Sequence, residues 1–124
     1  MFAGCDRQVA PFSPQQVVKA FGSAGVPLET LASHPGPALG PIAILHPVLT
    51  ERCQDPESVS INTFYREQDL RAYLHRLGLD KALDQWVTVQ GASGRAHRNV
   101  LVGLDRGTQC LTHAQVDAAL AALD

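Results

Sequence analysis

Apolar residues recur at helical spacing in three stretches of this chain and at alternating spacing in four others, and these two periods set the expected architecture. Val17, Ala20, Phe21 and Ala24 form the first helical stripe. Ser13 precedes it as an N-cap, Pro14 suits the first helical position, Gln16 is placed to complete a capping box, and Phe12 can staple to Val17. The pattern predicts a helix from Pro14 to Ala24, softened at its end by Gly22 and Gly25. Leu70, Tyr73, Leu74 and Leu77 predict a second helix that Gly78 terminates. Val116, Ala119, Leu120 and Leu123 predict a third, entered through Thr112 with Gln115 as its capping-box partner and Leu111 stapled to Val116.

Alternation predicts two hairpins. Val48 to Cys53 and Val59 to Tyr65 flank the turn-forming Asp55-Pro56-Glu57-Ser58, with Val59, Ile61 and Thr63 on the core side and Ser60 and Asn62 outward. Trp86 to Gln90 and Asn99 to Leu104 flank a Gly-rich stretch, Gly91 to Arg98, read as a solvated loop; Gly103 lets a neighbour come close. Between the first helix and the first hairpin, Val26 to Pro47 carries five prolines. Proline removes a ladder donor and fixes φ, so this stretch is expected to be a long loop wrapping the sheet, with one edge strand near Ile42 to Leu45. The order αββαββα implies an α+β fold: a four-stranded antiparallel sheet packed against helices that lie mainly on one face. Residues 1–11 are expected to be a lipobox-like start and tether, and 12–124 one α+β domain with one core.

Ten basic and twelve acidic side chains leave a formal charge of −2, without the positive field that phosphate backbones require, so nucleic acid is not an expected partner. No apolar run approaches the roughly 20 residues of a membrane span. Thiolate and imidazole are the ligands and nucleophiles of zinc and acyl-transfer chemistry, but His34, His46, His75, His97 and His113 are scattered and no CxxC, HxxxH or HxH occurs. No metal, cofactor or catalytic residue is assigned. Gly91 to Asn99, with Arg95 and Arg98, is the one cluster with anion-binding character; it lacks a Lys-Ser/Thr ending and leads into a strand, not a helix.

Cysteine usage speaks to address more than to activity. Phe2-Ala3-Gly4-Cys5 is an apolar residue, two small ones and a Cys, the pattern that a lipoprotein signal peptidase cuts before. A working signal also needs a basic region and an apolar stretch upstream, so this reading expects a start codon upstream of Met1 or a chain trimmed at the cleavage site. The competing reading is a cytoplasmic chain whose first residues happen to match. With Cys5 taken by a diacylglyceryl thioether, Cys53 and Cys110 remain as one pair. Closing that loop would remove about 4 kcal/mol of unfolded-state entropy on the chain-entropy model.

Three further segments carry a resemblance: the Ser13-Pro14-Gln15-Gln16-Val17-Val18-Lys19-Ala20-Phe21 helix start, the Val59 to Tyr65 strand running into Glu67-Gln68-Asp69-Leu70, and Arg98-Asn99-Val100-Leu101-Val102 before an Ala-rich final helix. Over 12–25 and 58–123 the chain resembles small uncharacterised lipoproteins of high-GC bacteria. The resemblance implies a lipid-anchored envelope location, with Cys5 as the matching attachment residue, and no assigned activity. The expectation is therefore an extracytoplasmic, non-enzymatic domain, held to the membrane through Cys5, that binds or scaffolds in the cell envelope. A cytoplasmic enzyme or regulator with free Cys53 and Cys110 is one alternative. A small-ligand module with its pocket between the proline loop and the sheet is the other.

Overall fold

The computed structural model describes residues 10–34 and 36–124. Its elements run α1 (Pro14–Ser23), β1 (Leu28–Ser33), β2 (Pro41–Pro47), β3 (Val59–Phe64), α2 (Glu67–Leu77), β4 (Val87–Val89), β5 (Ala92–His97), β6 (Val100–Leu104) and α3 (His113–Leu123). Short 3-10 turns occupy Pro56–Ser58 and Asp80–Ala82. The α+β class is as the periodicity implies. The sheet differs: it has six strands, not four, in the order β1-β2-β3-β6-β5-β4, and the element order is αβββαβββα rather than αββαββα.

α1 and α3 start where their caps place them. Ser13 and Thr112 each accept from the backbone N–H three residues on, and Gln16 and Gln115 reach back to the cap N–H, so both capping boxes are closed. Gly78 ends α2 in the left-handed conformation that a Cβ disfavours.

The strands are where sequence and structure part. Val26 to Pro47 is not a wrapping loop; it builds β1 and β2, an antiparallel pair at the sheet edge with a bulge at Leu31. Its prolines sit where a strand tolerates them, since Pro27 precedes β1 while Pro41 and Pro47 are the first and last residues of β2. The partner of β3 is accordingly β2, with Leu45 opposite Ile61, and not Val48 to Cys53, which runs as a loop closed by reciprocal Thr50–Cys53 backbone bonds. Gly91 to Arg98 is not a loop either. It contains β5, which pairs with β4 on one side and β6 on the other. Gln90 and Gly91, both at positive φ, make the two-residue turn between β4 and β5.

The two faces of the sheet are covered unequally. On the first face α1 and α3 lie side by side over Val59, Ile61, Val100, Val102 and Leu104, with Val17, Phe21, Val116 and Leu120 fully buried against them. Each such side chain contributes on the order of 1.5–3 kcal/mol through burial. Phe12 and Val17, the expected staple, belong to this core, as do Leu111 and Val116. Among the described residues the second face carries α2 and the 3-10 turn that follows it, which bury Leu70, Leu74 and Ala82 over Phe64 and Ala96. Helices therefore flank the sheet on both sides. Asn99 is buried between the layers: its side-chain oxygen accepts from Phe12 N–H at 2.9 Å, and its amide donates to the carbonyls of Phe12 and Phe64. That triple bond set holds the segment entering α1 against the end of the sheet.

Candidate functional site

Cys53 and Cys110 are joined, their Cα atoms 4.2 Å apart across 57 residues of sequence. The bridge ties the loop after β2 to the loop after β6, at the end of the sheet where α3 begins. Cys53 is buried, and Cys110 packs on the edge of the first-face core. Cys5, the expected attachment residue, lies outside the described residues.

His46, His75, His97 and His113 lie on four different elements, and no group of three or more His, Cys, Asp or Glu placed to hold a metal occurs among the described residues. Two of them nevertheless sit in polar clusters. His97, on the last position of β5, is clamped from both sides: Nδ1 lies 2.7 Å from Asp84 and Nε2 2.9 Å from Asp124 at the end of α3. Partial burial alone would lower its pKa, but the two carboxylates outweigh that and hold the imidazole above its ordinary value. When protonated, the ring can donate to a carboxylate from each nitrogen, and in that form the cluster clasps β5, the turn before β4 and the end of α3 together. Phe12 stacks on the same ring, and Arg98 lies 4.1 Å over the face of Phe12.

His113 stacks face to face on Trp86 with ring centroids 3.7 Å apart, and its Nε2 lies 2.9 Å from the Ser93 hydroxyl. A serine against an imidazole is the first half of a nucleophilic arrangement. Asp117, one turn along α3, is engaged elsewhere, because it accepts from the Trp86 indole and pairs with Arg95. The cluster thus fastens β4 and β5 to α3.

The anion-binding character of Gly91 to Asn99 dissolves in the fold. Its backbone groups serve the β5 ladder, Arg95 points to Asp117 on the first face, and Arg98 donates to the Ala10 carbonyl. A pocket of about 320 Å³ does gather Arg98, Arg66 and Arg71 near the start of α2. Arg66 is already bound to Asp69, and Arg71 to Glu67.

A further feature is a groove of about 340 Å³ on the second face, between the C-terminal half of α2 and strands β3, β6, β5 and β4. Tyr73, Leu77 and Leu79 form one wall, Val89 the opposite rim, and the floor is the sheet itself. Ser60, Gly103, Gly94 and Val87 follow one another across four adjacent strands, each opposite the next. The two central members carry no side chain, so a trough runs through the middle of the sheet. Ser60 and Asn62 supply polar groups at its β3 side, Asn62 donating to the Leu101 carbonyl. Among the described residues, no Asp, Glu, Lys, Arg or His lines it. In size and apolar character it falls in the ordinary range of small-molecule sites.

The sequence offered, as one alternative, a ligand pocket between Val26 to Pro47 and the sheet; that segment instead supplies β1 and β2, and a cavity of about 600 Å³ opens beside its two ends, lined by Val26, Pro27, Pro47, Cys53 and Cys110. Alternation did put Ser60 and Asn62 on the opposite side from Val59 and Ile61, but it read that side as solvent and Gly94 as part of a loop. The missed signal was the pair Gly94 and Gly103, visible only once β5 is recognised as a strand. No protein-family model, curated protein or solved structure matches this chain.

Proposed function

We propose that this chain is a binding domain of the cell envelope, displayed outside the cytosol and held at the membrane by a lipid on Cys5. The observation that carries the reading is the partition of its three cysteines. Cys53 and Cys110 are bonded to each other, which is the state that secreted and envelope proteins maintain and that cytosolic reductants oppose. That leaves Cys5 as the one cysteine outside the bridge, in the sequence context that lipoprotein processing uses. The core supports a display role, since a sheet closed by two helices on one face makes a rigid platform for the groove on the other.

The test is intact mass of the protein isolated from the membrane fraction of cells that express the gene with its natural upstream sequence. The reading predicts an N-terminal Cys5 carrying a diacylglyceryl adduct, with Cys53 and Cys110 resistant to alkylation until reduced. Unmodified Cys5 in cytosolic material with all three thiols alkylatable would replace it with the cytoplasmic enzyme or regulator.

A further inference from the structure

We propose that the groove on the second face binds a flat, uncharged, largely apolar ring system, lying face down on Gly94 and Gly103 with a polar substituent toward Ser60 and Asn62. The argument starts from two glycines in strand interiors, positions where glycine needs a reason. Backbone conformation is not the reason, because neither residue has a positive φ. Crowding is not the reason at Gly94, where a Cβ would come no closer than 3.5 Å to any neighbour, the Val102 carbonyl; at Gly103 a Cβ would press on the Ser60 hydroxyl at 3.0 Å, so a side chain there would intrude on the polar end of the groove. What the two positions provide is open space above the sheet.

The shape of that space selects the occupant. Gly94 and Gly103 are directly opposed on β5 and β6, so the bare patch is a flat strip of backbone, framed by Ser60 on β3 and Val87 on β4. A planar ring matches a flat floor, and the walls of Tyr73, Leu77 and Val89 supply an aromatic face and aliphatic edges to it. The absence of charged side chains from the lining selects against an ionic ligand, whose desolvation nothing there would offset. The Asn62 nitrogen already donates to the Ser60 hydroxyl and the Leu101 carbonyl, which leaves the Ser60 O–H and the Asn62 amide oxygen to orient one hydrogen-bonding substituent. Leu77 and Val89, each more than half exposed, stand at the mouth. The proposal deepens the binding role above without depending on the compartment, so the titration below and the mass of Cys5 can fail separately.

The test is titration of the full, disulfide-bonded chain with N-phenylnaphthylamine, an uncharged aromatic dye that brightens in apolar surroundings. One saturable site is expected. Gly94→Leu, which fills the floor, and Leu77→Glu, which charges the rim, should each weaken the dye about tenfold, the equivalent of about 1.4 kcal/mol. Leu31→Ser, an exposed apolar residue on the edge strand β1, should leave the affinity unchanged. Should Gly94→Leu fail to melt cooperatively, Leu77→Glu at its exposed site decides alone. Non-saturating fluorescence, or wild-type affinity in a well-folded Leu77→Glu, would overturn the proposal. So would a dimer by sedimentation that Leu77→Glu converts to monomer, which would make a second copy of the chain the occupant.

Discussion

The first face of the sheet is closed and the second is open, and the difference separates what holds this protein together from what it presents. On the first face, alternate residues of β3 and β6 are large and apolar, and two helices meet them with a matching stripe. On the second face the same strands place Ser60, Asn62 and Gly103, while β5 adds Gly94, and α2 covers only the far end at Phe64 and Ala96. A sheet needs one packed face for stability; a second face built from small and polar residues beside a helix is surplus to that need.

The contrast can be broken from the first face with the largest effect. Phe21→Ala, at a fully buried position on the inner side of α1, should cost roughly 3–5 kcal/mol in denaturant unfolding. A loss below 1 kcal/mol would mean that the first face is not the main core. Removing the bridge with a Cys53→Ser and Cys110→Ser pair should cost about 4 kcal/mol on the loop-entropy account, read in the same unfolding experiment.

Much of this asymmetry is written locally. The starts of α1 and α3 are legible because a capping box and a staple are short-range chemistry, complete within five or six residues, and both formed as read. The apolar stripe of α2 and the alternation of Val59 to Phe64 and Val100 to Leu104 are equally local. The strands that escaped notice are those whose sequence obeys another demand. β1 and β2 lie between prolines, and proline counts against a strand until its position at a strand end is known. β5, Ala92–His97, contains glycine, alanine, serine and arginine because one face lies under α2 and the groove while the other meets α3, so it has none of the β-branched signal of an ordinary strand. The residues that make the groove are the ones that hid it.

Smaller effects sharpen the comparison. Thr63 points into the first-face core, and its hydroxyl has no hydrogen-bond partner among the described residues. Thr63→Val should therefore stabilise the protein, by about 1 kcal/mol in thermal or chemical unfolding, since it removes an unsatisfied buried polar group. The His97 clasp predicts a pH dependence with a defined sign. Its folded pKa lies above the unfolded one, so its contribution is fully present below about pH 6.5, the ordinary histidine value, and is lost as pH rises through the folded pKa. With Asp84 and Asp124 both more than half exposed, the expected size is about 1 kcal/mol, and His97→Gln should flatten that part of the stability–pH curve. The smallest change is the most telling about the second face. Gly94→Ala should raise stability by roughly 0.5–1 kcal/mol, because alanine loses less backbone freedom and the Cβ meets no clash, while it lowers affinity for an aromatic ligand. Stability and binding moving in opposite directions at one residue is what a floor kept bare for a ligand requires.

The most direct measurement is amide chemical-shift mapping of the full chain by NMR during titration with N-phenylnaphthylamine. Saturable shifts concentrated at Ser60, Gly94 and Gly103, with the first-face amides of Val17, Phe21 and Val116 unmoved, are the predicted result. Shifts that spread over the first face, or floor amides that never move, would contradict the division of labour between the two faces.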